Sequence, residues 1–318
     1  MERHGIPVEL RAQIENFTKT ADEILENFRK TVDATAIPER IYHYTTGDGL
    51  RGILESGQFR MTNVFNLNDP SELRHGYRIA ADVLDKKVEG RHQNQLHFAK
   101  VFRDFERTGI EASSQIFVTC FSNAPDDLSQ WRAYADDGRG YILGFDAKCL
   151  EKAFCAADPA HAASFPINYN ESDLVKLDSA VMEKICDFLD FPHELPHPPE
   201  ATIAYVRALH ARLTIYPVLF SLYFKHSSYE NEREYRFMRL HGATKPVEDI
   251  RRRYRPYEVV KYVEFDWKQH CPQALKSIRV GPAAQQSKGK RFAEDCLEVF
   301  GDKNDVTIDV SEIPYRSA

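Results

Sequence analysis

Leu10, Ile14, Phe17, Ala21, Ile24, Leu25, Phe28 and Val32 recur at steps of three and four residues. That spacing predicts an N-terminal amphipathic helix, ended by the Ala36-Ile37-Pro38 segment. Its apolar stripe can pack on the protein's own body or serve a partner or a second copy. From residue 41 the period changes. Ile41-Tyr42-His43-Tyr44 predicts a short strand, and Thr46 can cap a helix from about Asp48 to Ser56. Gly57 suits the left-handed residue that closes it, and residues 58–62 read as the next strand. Asn66-Leu67-Asn68-Asp69-Pro70 is turn chemistry, because Asn and Asp bond their own backbone and Pro stiffens the exit. A structural loop over 66–72 is therefore expected. Ser71 caps a helix to about Lys87, and a further helical stretch covers about 94–108.

The middle of the chain is rich in β-branched and aromatic residues. Strands are predicted at 115–121, 141–145, 234–240, 259–265, 278–280 and 306–310, with a shorter one near 165–169. Asp127 or Ser129 opens a short helix carrying Trp131 and Tyr134. Two helices occupy much of 146–200, a long helical stretch covers about 201–224 with a break at Pro217, and a last helix runs to about Phe300. Helices come in blocks rather than strictly between successive strands. The expected class is α+β, with a split, mostly antiparallel sheet as its centre. The expected organisation is an N-terminal helix over 1–38, then one α+β domain over 39–318 with a helical insertion at about 146–225.

Composition narrows the function classes. The 318 residues are 42% hydrophobic, which supports a buried core, and no stretch reaches the roughly 18–20 apolar residues of a membrane helix. The charged N-terminus does not resemble a signal peptide, so a cytoplasmic protein is expected. Lys+Arg 42 against Asp+Glu 48 gives a net charge of −6, which disfavours whole-surface binding to polyanions but allows a local basic site. Cys120, Cys149, Cys155, Cys186, Cys271 and Cys296 show no CxxC and no zinc-finger spacing, so reduced, unpaired thiols and no metal are expected. No phosphate-cradling, HExxH or GxSxG motif is present.

What remains is a set of polar residues at element edges. His43 ends the first strand, where its ring nitrogens can hold a ribose hydroxyl or an amide, or satisfy a backbone carbonyl. Glu232 and Glu234 precede and open a strand, where alternation places both on one face, either as two carboxylates in a cleft or as a solvated strand start. Thr119 and Ser122 give a strand end small hydroxyl residues, and Tyr44, Tyr134 and Tyr141 are candidates to stack on a flat ring or to be core. Arg251-Arg252-Arg253-Tyr254-Arg255 with Tyr257 is the concentrated basic-aromatic run, either a nucleic-acid contact or a solvated loop.

Motifs in order along residues 40–316 resemble a bacterial domain family of unknown function: IYHYTT, FNLNDPSE, CFS, WRAYA, ENEREYRF, VGP and IPYR. More distantly, the chain is similar to ADP-ribosyltransferases, including DarT-type toxins that modify DNA. His43 matches their first motif, Thr119–Ser122 their second strand, and Glu232-Arg233-Glu234 their ExE element. The resemblance implies NAD as substrate and no metal, with Glu234 stabilising the cation that develops at ribose, Glu232 serving the acceptor, and His43, Tyr44, Thr119, Ser122, Tyr134 and Tyr141 around the nucleotide. It also implies a macromolecular acceptor, nucleic acid or protein, and a toxin or phage-defence role. Two other classes remain open: a metal-dependent nuclease using Asp69, Glu72 or Glu232, and a non-catalytic nucleotide-sensing or interaction module.

Overall fold

The computed structural model describes residues 8–31, 37–67, 72–91, 93–108, 115–159, 161–190, 213–241, 249–301 and 306–316. It divides into two units. The first is helical and draws on three separated stretches of chain: α1 (Val8–Thr31), α3 (Glu72–Val88), α4 (Gln93–Thr108), α7 (Glu171–Leu189) and α8 (residues 213–221). The N-terminal stripe is used inside this unit. Phe17 packs edge-on against Phe188 of α7 and Tyr216 of α8, and the Tyr216 hydroxyl donates to Thr18 O at 3.1 Å.

Leu174, Leu177, Val181, Met182 and Ile185 form the buried stripe of α7, and Asp178 stands in the middle of it. Asp178 is fully buried, and neither carboxylate oxygen has a hydrogen-bond partner. Burial pushes its carboxyl well above the ordinary carboxylate range. A raised folded pKa contributes stability fully below the unfolded value, near 3.8, and loses it as pH rises toward the folded one. Asp178→Asn keeps the shape and removes that linkage. Thermal unfolding of the two proteins should therefore give similar midpoints near pH 4 and a growing advantage for the variant as pH rises, at about 1.4 kcal/mol per pH unit within the window. Parallel pH profiles would refute this.

The second unit is the sheet with its helices. β1 (Arg40–Thr45), β2 (Gln58–Asn63), β3 (Ile116–Ser122), β4 (Tyr141–Asp146), β5 (Ala162–Pro166), β6 (Glu234–Leu240), β7 (Arg251–Arg255), β8 (Glu258–Asp266), β9 (Leu275–Val280) and β10 (Thr307–Val310) form one sheet. Its main path is β10-β9-β4-β1-β3-β2-β8-β7, and β6 adds to β3 and carries β5. Every ladder among these strands is antiparallel except β9–β10. α2 (Gly47–Ser56), α5 (Leu128–Tyr134), α6 (Ala147–Ala157), α9 (Trp267–His270) and α10 (Gln286–Phe300) complete the unit. The caps of α2 follow the expected chemistry. Thr46 accepts from Gly49 N, and Gly57, at φ 66, returns its N–H to Ile53 O at 3.0 Å.

The sheet splits at β3. One edge of β3 pairs with β6 along its whole length, from Ile116 to Ser122. The other edge pairs with β1 at Ser122 and with β2 at Val118 and Phe117. β1 and β2 thus share one edge and diverge across the stretch between.

Three expectations meet corrections here. Residues 251–255 are a strand paired with β8, not a loop, because the Pro256-Tyr257 turn folds them back onto an already formed strand. Cys149 and Cys271 form a disulfide, although their sequence separation of 122 hides the pair from any spacing rule. The helical insertion at 146–225 is not uniform: α6 and β5 stay with the sheet unit, while α7 and α8 belong to the helical one. The 66–72 loop is described only in part. Asn66 does act as a structural bridge, donating to Glu258 Oε1 at 2.8 Å and accepting from Lys261 N at 3.0 Å, whereas Asp69 lies outside the described residues. Among the described residues no helix is long and apolar enough to cross a membrane.

Candidate functional site

Register decides which candidates share a face. Tyr42 pairs with Ser122, and Ser122 pairs with Glu234. Directly paired residues of antiparallel strands project to the same side, so Tyr42, Ser122 and Glu234 form one row across β1, β3 and β6. The row continues through Gly144 and Ser277. A Cβ at Gly144 would lie 2.3 Å from Ser277 Oγ and 3.2 Å from the Tyr42 ring, so the glycine is what lets that ring lie across β4.

α5 covers this face. Asp127 caps it by accepting from Ser129 N and Gln130 N. Its Trp131 is buried edge-on against Tyr44 and donates Nε1–H to Asp126 at 2.6 Å. Tyr134, one helical turn on, donates its hydroxyl to Glu232 Oε1 at 2.7 Å. Ser122 donates Oγ–H to the Glu232 carbonyl at 2.7 Å and accepts from Ala124 N. Asn123 N donates to Arg233 O at 2.8 Å, while Asn123 Oδ1 is buried with no partner. The ends of β3 and β6 are therefore stitched together around a partly exposed carboxylate, a tyrosine and an orphan acceptor.

Glu232 and Glu234 do not share a strand face by alternation. The strand begins at Glu234, and Arg233 before it sits at φ 44, which interrupts the pleat. Glu232 ends a 3-10 segment, Ser227–Glu232, and stays partly exposed. Glu234 is buried and bound by Arg236 Nε at 2.8 Å, two residues on and on the same face. The sequence offers Arg233, Arg236 and Arg239 as partners for these carboxylates, and Arg236 is the one that binds Glu234, whereas Tyr42 is not singled out by the pattern. Alternation from Glu234 points to Arg236, whereas only the β1–β3 register reveals Tyr42.

The other candidates lie elsewhere. His43 is one residue from Tyr42 and so faces the opposite side, beside Phe121 and Phe59 of the main core. The expectation that His43 and Glu234 face each other across one pocket is thus corrected by the register. Its Nδ1 lies 3.3 Å from Cys120 O, in the stretch of β3 that neither β1 nor β2 pairs. A carbonyl only accepts, so Nδ1 carries the hydrogen, and desolvation lowers the ring's pKa below the ordinary 6.5. A neutral His43 serves as a plug in the split. Thr119 is buried on that same side, paired with Phe237. Tyr141 also faces it, donating to Gly289 O of α10 at 3.2 Å. Tyr44 shares the face of Tyr42, but its hydroxyl donates to Ala124 O and accepts from Asp127 N, and burial raises its pKa. It holds the 124–127 loop.

Among the described residues no three His, Cys, Asp or Glu side chains come together as a metal-binding group. No match to the chain was found among curated proteins or among solved structures. Residues 130–237, the stretch that contributes Tyr134, Glu232, Glu234 and Arg236, match the model of a protein family of unknown function (DUF2971).

Proposed function

We propose that the protein is an ADP-ribosyltransferase-like enzyme that takes NAD as substrate and transfers ADP-ribose to a macromolecule. One observation carries the reading. The three strands that bear the resemblance lie side by side in the order β1, β3, β6, and Tyr42, Ser122 and Glu234 stand in one row at the end of β3 and the start of β6.

The residues suit the chemistry. Breaking the nicotinamide–ribose bond develops positive charge on the ribose, which a fixed carboxylate stabilises. Glu232 is the exposed carboxylate of the pair and is oriented by Tyr134, so the reactive role falls to it. Glu234, tied to Arg236, positions the strand start beneath it. The orphan Asn123 Oδ1 offers an acceptor to an amide N–H, and the Tyr42 ring offers a flat surface over Gly144 of β4. His43 and Tyr141 act from the other face and shape the sheet.

The test is release of nicotinamide from NAD, and transfer of labelled ADP-ribose to DNA, RNA or protein pools. Turnover that Glu232→Gln lowers by roughly 10²–10³ at an unchanged melting temperature is the expected result. Turnover that survives the change removes Glu232 from the chemistry, and the absence of both NAD binding and turnover favours a non-catalytic interaction module.

A further inference from the structure

The β7–β8 hairpin stands apart from the site just described. It carries Arg251, Arg252, Arg253, Arg255 and Lys261 against Glu258, Glu264 and Asp266, in a chain whose net charge is −6. β7 is the terminal strand of its path through the sheet. Charges on an edge strand ordinarily discourage pairing with other chains, and that explanation covers the arginines. It does not cover the aromatic residues.

On one face of the hairpin Arg252 pairs with Lys261, and Tyr254 pairs with Val259. All four are exposed, Tyr254 to 81% and Val259 to 48%. Two cations thus flank an open ring on a flat, unpartnered strand surface. Tyr257, at the tip, is fully exposed. Its φ of 69, following Pro256, is the second central position of a type II turn, where glycine is favoured and a bulky side chain is strained. A protective edge would gain nothing from two solvent-facing tyrosines, one of them strained. On the other face Arg251 pairs with Glu264 at 3.0 Å and Arg255 with Glu258 at 3.7 Å, while Arg253 has its Nε buried and without a partner.

We infer that this hairpin binds single-stranded nucleic acid, with the arginines and Lys261 on the phosphates and the Tyr254 and Tyr257 rings on the bases. Every base has a face to stack on, and an open pair of rings spaced along a basic ribbon suits an unpaired strand, whose bases are available. In a duplex the base faces are stacked on one another, which leaves the two exposed rings nothing to stack on.

The experiment is fluorescence anisotropy of the full chain with labelled 20-nucleotide DNA and RNA strands and with the corresponding duplexes, over a salt series. Tighter binding of a single strand than of the duplex is expected, weakening steeply with salt. Tyr254→Ala should lower affinity roughly 5–150-fold, the range for losing one stacked base. Tyr257→Gly should lower it similarly while relieving the turn, so its melting temperature should hold or rise and misfolding is separated from lost contact. Arg252→Glu should also weaken binding and flatten the salt dependence. No binding, tighter binding of the duplex, or binding indifferent to Tyr254 and Tyr257 would overturn the inference. None of these outcomes depends on NAD turnover.

Discussion

Removing either partner of the Glu234–Arg236 pair is expected to destabilise the sheet unit by about 3–5 kcal/mol, the usual consequence of breaking a buried ion pair from one side. Both side chains are almost wholly enclosed, at 4% and 1% exposure, and their contact is 2.8 Å. Glu234→Gln and Arg236→Met should each lower the melting temperature by roughly 10 °C in a protein of this size. The double variant should be more stable than the sum of the single losses predicts, because the two groups interact directly and each single change disturbs the same contact. This separates structure from chemistry in the ExE element. If Glu234 braces the strand start, the double variant, once folded, keeps any turnover of NAD, whereas Glu232→Gln loses turnover with its melting temperature intact. The reverse pattern would return the reactive role to Glu234. Additive losses in the double variant would show that the two groups do not act as a pair at all.

Much of the fold was legible because it is local. The Thr46 cap, the Gly57 closure, the β-branched and aromatic run at 115–121 and the aromatic run at 234–240 each declare themselves within a few residues, and the structure has strands at Ile116–Ser122 and Glu234–Leu240. The candidate site was legible only in part, because faces are not local. Alternation orders residues within one strand, but which face of β1 meets which face of β6 depends on register across β3, and a slip of one residue would exchange His43 for Tyr42. The same reason explains Thr119 and Tyr141, odd-numbered neighbours that fell to the opposite side from Ser122 and Tyr42. Arg233 shows the complementary limit. Its positive φ breaks the period within EREYR, and nothing in the residue types there asks for a left-handed conformation. β7 was masked by its arginines, since charged residues at every exposed position imitate a loop until the neighbouring strand supplies partners.

The disulfide yields the other large effect. Cys149 lies in the first turn of α6, where its N–H is held by the Asp146 cap, and Cys271 is buried at the end of α9 beside the main core. The bond ties two points 122 residues apart, so it closes a long loop in the unfolded chain. The chain-entropy model assigns a closure of that length about 5 kcal/mol, and measured native disulfides contribute typically 2–4 kcal/mol. Comparing one protein in oxidised and reduced form avoids the buried polar group that Cys271→Ser would introduce. The oxidised form should melt several degrees higher, and on unfolding without reductant it should expose Cys120, Cys155, Cys186 and Cys296 to alkylation while Cys149 and Cys271 stay protected. Reduction of the folded protein should proceed by attack on Cys149, which is half-buried, rather than on Cys271, which is only 1% exposed. Equal melting temperatures in the two forms would show that the constraint is offset in the native state. Alkylation of Cys149 and Cys271 in the unreduced, unfolded protein would show that the bond does not form.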